Sequence, residues 1–225
     1  RDRSPSRGLG DVYKRQRATI AKEKGLEPLA NLILLQKMTV SPLEEAENYI
    51  NPEKEVSTAE DALNGAKDIL AESVSDNADF RTHIRELTMK HGQLLSAAKD
   101  PEAESVYEMY YEFSESLSKL AGHRILAISR GEKEKFLTVK IDAPVDRILS
   151  YLDRKLITAP SAPTAAVLHE VTEDAYNRLI APAIEREIRN DLFEKAEDGA
   201  IRVFGKNLEP VSYTHLRAHE TDSYL

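Results

Sequence analysis

The sequence predicts a mainly α-helical protein, a multi-helix array with one short β element near residues 135–141. Three observations predict it. Apolar residues recur at three- and four-residue spacing through most of the chain, behind Ser, Thr and Pro start signals. Six per cent aromatic residues, no Trp and only nine Gly favour helices over a β-rich architecture. A single stretch, Phe136 to Ile141, sets apolar Leu137, Val139 and Ile141 against Thr138 and Lys140. That is the period of a half-buried strand, and Asp142-Ala-Pro144 stops it.

Taken in order, residues 1–16 (RDRSPSRGLGDVYKRQ) lack an initiator Met, a periodicity and a helix cap. Residues 210–225, ending VSYTHLRAHETDSYL, are equally unpatterned. Both read as non-native flanks and are set aside from fold reasoning. Pro28 suits the first position of a helix over Leu29–Lys37, whose Leu29, Leu32, Ile33 and Gln36 share a face. Ser41-Pro42-Leu43-Glu44 is a capping box opening a second helix, which Asn51-Pro52 ends. Ser57-Thr58-Ala59-Glu60 repeats the box, and Ala59, Leu63, Ala66, Ile69 and Leu70 form a stripe to about Ser73. Gly65 within it marks a point of close packing.

Ser75 or Asp76 caps the next helix, in which Phe80, Ile84 and Leu87 share a face before His91-Gly92 ends it. Lys99-Asp-Pro101 is a turn. Tyr107, Tyr110, Tyr111, Phe113 and Leu117 then recur at helical spacing. Leu120-Ala121-Gly122 breaks that run, and Ile125, Leu126 and Ile128 give a second short face. After the strand, Asp146–Leu156 reads as an amphipathic helix and residues 158–166 (TAPSAPTAA) as a linker. Thr172 caps a helix carrying Ala175, Tyr176 and Leu179, and Pro182 kinks it or starts another. Ile184, Ile188, Leu192, Ala196, Ala200 and Phe204 continue on a drifting face. No period of 20–50 residues recurs, which argues against a solenoid.

Four blocks carry a resemblance. HRILAISRGEKEKFLTVKI (123–141) is similar to the HRxLAxxRGxxEGxLxVKI stretch of the Tex family of bacterial transcription accessory proteins. KGLEPLANLIL (24–34), STAEDALNGAKDILAE (57–72) and EDAYNRLIAPAIEREIRNDLFEKAEDGAIRVFGKNL (173–208) resemble further Tex segments in the same order. The resemblance covers about Arg17 to Glu209 and divides into a helical region at 17–157, the 158–166 linker and a long helical segment at 167–209. Lys135 departs from it, standing where the family usually has Gly. What the resemblance implies is a cytoplasmic, multidomain, nucleic-acid-binding factor with an RNase H-like domain, helix-hairpin-helix elements and a C-terminal S1 domain associated with RNA. Since the family polypeptide continues past the Phe204–Leu208 segment, the chain is expected to be a fragment acting as a helical scaffold. Its partners through the whole protein would be RNA or DNA and the transcription machinery.

Charge and composition narrow the chemistry. A formal net charge of −8 repels a polyanion at long range, so any nucleic-acid contact needs a local basic patch. No Cys excludes disulfides, thiolate metal sites and a cysteine nucleophile, and is compatible with a reducing cytoplasm. No apolar run approaches the roughly 18–20 residues that span a bilayer, so no membrane partner is expected. Neither a GxxxxGK[ST] loop nor a GxSxG elbow occurs, and with no metal site or cofactor motif the expectation is a non-enzyme.

His215 and His219 stand four apart without the Glu of an HExxH motif. His83, His91, His123 and His169 are scattered and read as surface or hydrogen-bonded structural residues. Glu185 with Arg189 and Asp191 with Lys195 have the spacing of surface ion pairs. The feature pulling toward nucleic acid is the basic cluster Lys119, His123, Arg124, Arg130, Lys133, Lys135 and Lys140. From it His123, Arg124, Arg130, Lys133 and Lys135 are the candidate phosphate contacts, while capping and solubility are the competing use of Arg130. The tyrosine cluster could stack on bases, although helical spacing beside Met109 and Leu117 favours a packed core.

Overall fold

The computed structural model describes residues 16–199. In chain order these form α1 (16–23), α2 (Glu27–Leu35), α3 (Pro42–Ala46), α4 (Ala59–Asp76), α5 (Ala78–His91), β1 (Gln93–Ala98) and β2 (Glu112–Ser116). There follow α6 (Gly122–Lys133), β3 (Leu137–Asp142), α7 (Val145–Leu156), α8 (Thr164–Asp174), a π-helical stretch (Ala175–Ile180) and α9 (181–199). Two compact units result. Residues 16–87 and 144–184 make the first, and residues 88–143 and 185–199 the second.

The first unit is all helical and centred on α4, which packs against α2, α3, α8 and the π-helical stretch. Thr58 caps α4, its hydroxyl accepting the Asp61 amide proton at 3.1 Å, one position later than the box expected at Ser57. At Ser41 the N-cap half of the expected box forms, with its hydroxyl accepting from the Glu44 amide at 3.2 Å. Small residues on α4 let its neighbours approach. A Cβ on Gly65 would lie 2.2 Å from Leu26 Cδ1, so the helix reading and the close-packing point both hold. The core around it holds Leu26, Leu29, Ile33, Ile148, Leu152, Leu168 and Ile180, each 0–1% exposed and each contributing about 1.5–3 kcal/mol by burial.

Gln36 ends α2 instead of continuing its apolar face. Its backbone is left-handed at φ +59, and its buried amide side chain works at long range. Nε2 donates to the Leu156 carbonyl at 2.8 Å, and Oε1 accepts from the amides of Thr158 and Ala159 at 2.8 and 3.1 Å. One side chain thus satisfies the end of α7 and the turn after it. Within 158–166, Thr164 already opens α8.

Asn77, not Ser75 or Asp76, caps α5, through a 3.0 Å bond to the Phe80 amide. Thr172 is no cap: it lies buried inside α8, its one hydroxyl proton shared between Asp153 Oδ1 at 2.6 Å and the His169 carbonyl at 2.8 Å. The π-helical stretch lies just ahead of Pro182, and the Ala181 amide bonds back to Tyr176. Proline lacks an amide proton and its ring crowds the carbonyl four residues back. Widening the preceding turn accommodates it within a continuing helix.

The second unit holds an antiparallel sheet of order β2-β1-β3. Mainly α stands as the fold class, but the β element is this sheet and not β3 alone. β1 was hidden because its inner face presents Leu94 and Ser96 while Leu95 lies on the other, so QLLSAA shows no clean alternation. The tyrosine run is not a helix. Tyr107 precedes and Tyr110 ends a 3₁₀ turn (Glu108–Tyr110), and Phe113 sits on β2, so a turn followed by a strand mimics the 3.6 period. Ser96 Oγ donates to the Tyr110 carbonyl at 2.8 Å and ties that turn to the sheet. Helix α6 packs on β3, and α9 supplies Glu185, whose carboxylate accepts from the Ile141 amide at 3.4 Å.

Candidate nucleic-acid interface

Helix α6 carries His123 and Arg124 in its first turn and Arg130 and Lys133 in its last, where cations complement the helix dipole. His123 and Arg130 are seven residues apart, two helical turns along one stripe. Lys133 lies one turn further. The helix ends in a Schellman motif: the Phe136 amide bonds to the Gly131 carbonyl at 2.9 Å and the Lys135 amide to that of Glu132 at 3.1 Å. Lys135 occupies its left-handed position at φ +66. A Cβ on Gly131 would approach Leu137 Cδ1 to 2.5 Å, so the crossing of α6 and β3 requires glycine there.

The five candidate residues do not act alike. Arg124 turns toward the sheet, pairing with Glu115 of β2 at 2.9 Å and lying 5.7 Å over the Phe113 ring. Its charge is spent within the unit. Lys133 lies 5.1 Å over Phe193 of α9 and is exposed. His123, Arg130 and Lys135 are exposed, and so are Lys119 and Lys140. The neighbouring carboxylates have partners of their own, Glu132 pairing with Arg189 and Glu134 accepting the Tyr107 hydroxyl at 2.6 Å. That bond, followed by burial, raises the Tyr107 pKa above the usual phenol value. Arg130, Lys133 and Lys135, with the His123 imidazole two turns back along α6, therefore form an exposed row of donors; Glu132 beside them is paired with Arg189, and Glu134 is an exposed carboxylate that accepts the Tyr107 hydroxyl. Such a row is suited to phosphate oxygens.

The aromatic cluster is core. Tyr107 and Tyr110 are each 4% exposed, and the Tyr111 hydroxyl donates to the Ala103 carbonyl at 2.6 Å. Arg189 reaches Glu132 on α6 instead of serving as a local i,i+4 partner for Glu185. His169 lies between Asp153 at 2.7 Å and Glu173 at 3.2 Å, and the Asp153 hydrogen bond raises its pKa above the ordinary value. His215 and His219 lie outside the described residues. Among the described residues no group of three or more His, Asp or Glu is placed to hold a metal ion, and no helix is long and apolar enough to cross a membrane. A groove in the first unit, lined by His83, Arg147 and Arg154 among others, went unread in the sequence. The seven-residue spacing of Arg147 and Arg154 on α7 was its available signal.

The family described as Tex central region-like matches residues 37–204. The chain is 48% identical over 202 residues to YdcI of Bacillus subtilis, covering 87% of this chain and 28% of that protein. It is 36% identical over 223 residues to the protein named tex of Bordetella pertussis, covering 89% and 28%. Its identity to the human S1 RNA-binding domain-containing protein 1 is 31% over 217 residues, covering 89% and 21%. The chain thus spans about a quarter of the length of these curated relatives.

Proposed function

Because the chain belongs to the Tex family, matching its central region, we propose that it is the helical scaffold of a nucleic-acid-binding transcription accessory protein and touches the phosphate backbone through α6. The observation that carries this reading is the exposed row His123, Arg130, Lys133 and Lys135 on and just past α6, beside which Glu132 is paired with Arg189 and Glu134 is turned to the Tyr107 hydroxyl. Arg124 orients α6 on the sheet and stays out of the contact. The name of the human relative, an S1 RNA-binding domain-containing protein, supports RNA as the ligand, and a cytoplasmic setting belongs to the same proposal. Transcription machinery is the corresponding protein partner. The scaffold has no catalytic step of its own, a reading supported by the commitment of Glu115, Glu132 and Asp174 to arginine partners.

Binding of a fluorescein-labelled RNA, followed by anisotropy at several salt concentrations, tests the reading. Arg130→Ala/Lys133→Ala should weaken binding and make the salt dependence shallower by about 1.4, two contacts at about 0.7 each for a single strand. Unchanged affinity in that variant refutes the contact. It would favour the second reading, a protein-interaction or structural module that never meets nucleic acid, for which the exposed Val106 and Met109 (84% and 67%) speak.

A further inference from the structure

A second place in the molecule has the parts of a nucleotide site, in the first unit and independent of α6. The facing stretches of α5 and α7 enclose an open groove of about 420 Å³ lined by His83, Leu87, Asp146, Arg147, Ser150 and Arg154. Its volume lies in the range of small-ligand sites. Arg147, Ser150 and Arg154 follow one another at spacings of three and four on α7, which puts them on one stripe. Both arginines are exposed. Arg154 uses Nε to reach the Ser150 carbonyl of its own helix at 3.3 Å, leaving its terminal nitrogens for a ligand. Two guanidinium groups, Arg147 and Arg154, and one carboxylate, Asp146, are the charged groups of this lining.

The other half of the site is aromatic. The His83 ring stacks on Tyr151 at 4.0 Å between centroids and 29° between planes. Tyr151, 8% exposed, is held in turn edge-on by Phe80 at 6.1 Å. His83 is therefore a braced ring lining a groove with arginines beside it, the combination that takes a base on its face and a phosphate at its edge. Bracing matters because a ring already fixed loses little freedom on binding.

We propose that this groove binds single-stranded nucleic acid, with one base stacked on His83 and the adjoining phosphates held by Arg147 and Arg154. Asp146 repels a phosphate and keeps the backbone on the arginine side; with Ser150 it offers hydrogen-bonding groups to the sugar. The contact lies on residues distinct from the α6 row, so either can fail without the other.

Anisotropy of labelled oligouridylate separates the two, using this chain carrying Arg130→Ala/Lys133→Ala as background. In that background Arg147→Ala/Arg154→Ala should weaken binding about tenfold and make the salt slope shallower by about 1.4. His83→Ala should weaken it about fivefold or more with the salt slope unchanged, and His83→Phe, which keeps a ring on Tyr151, should restore it. Circular dichroism of each variant reports its folding. Unchanged binding in the arginine variant overturns the proposal, as does failure of His83→Phe to restore binding in a folded protein. Displacement of the oligonucleotide by inorganic phosphate at the same concentration as uridine monophosphate would also overturn it, since the base would then contribute nothing.

Discussion

Replacing Lys135 by Gly should raise stability, and replacing Gly131 by Ala, in the same Schellman turn, should lower it. At φ +66 a side chain with a Cβ is held in the left-handed region, at a cost of about 1–2 kcal/mol. Glycine removes that cost but adds back about 0.5–1 kcal/mol of unfolded-chain entropy. The net gain is about 0.5–1 kcal/mol, or about 1–4 °C for a chain of this size. At Gly131 an added methyl would meet Leu137 Cδ1 at 2.5 Å and Cγ at 2.9 Å, with Tyr107 Cδ1 at 3.1 Å. Leu137 is fully buried and has nowhere to go. Overpacking of about 1–3 kcal/mol exceeds the helix-propensity gain of about 1 kcal/mol, leaving a loss of up to about 2 kcal/mol. Urea titrations followed by far-UV circular dichroism measure both. A Gly131→Ala variant more stable than wild type, or a Lys135→Gly variant less stable, would refute the described end of α6.

Three further outcomes are expected. Gln36→Ala should cost about 2–4 kcal/mol in urea unfolding, because it leaves the Leu156 carbonyl and the Thr158 and Ala159 amides without their partner; a loss below about 0.5 kcal/mol would count against the clamp. Since its folded pKa is raised, His169 contributes stability that is complete below its ordinary pKa of about 6.5 and disappears as pH rises through the folded value. The side chain is 49% exposed, so solvent screening keeps this below about 1 kcal/mol. The melting difference between wild type and His169→Gln should shrink from mildly acidic to alkaline pH, and a pH-independent difference excludes the linkage. Asp68 is raised mainly by burial despite Arg178 at 3.8 Å; its charge therefore costs stability above its folded pKa, and the cost fades as acid protonates it. Asp68→Asn should melt at or slightly above wild type at neutral pH, and a clearly lower melting temperature would show that attraction to Arg178 wins.

Local chemistry made much of the helical part legible. Ser41, Gly65 and the apolar stripe of α4 could be read directly because caps and 3.6-residue periodicity depend on neighbours a turn away. Long-range partners explain the misreadings. Gln36 looked like one more residue on an apolar face, yet its amide answers groups 120 or more residues later. Ser96 is polar but faces inward because Tyr110 offers it a carbonyl, which disguised β1. With β1 and β2 unread, the sequence does not place Glu115 beside Arg124, and Arg124 reads as a candidate phosphate contact. Thr172 looks like a cap by residue type, and only the approach of Asp153 from α7 explains a threonine buried within a helix.

The division of the chain also bears on how the protein is made. Each unit is assembled from two separated stretches, 16–87 with 144–184 and 88–143 with 185–199. A ribosome therefore delivers the first half of both units before the second half of either. The Gln36 clamp must wait for Leu156, and α6 must wait for Arg189. Neither unit can finish as an independent bead on the growing chain, as consecutive domains do, and a nascent chain halted near residue 143 holds two incomplete cores at once. Truncation at that point should leave apolar faces of both units exposed, and removing either unit by a single cut is ruled out by the order in which the residues are joined.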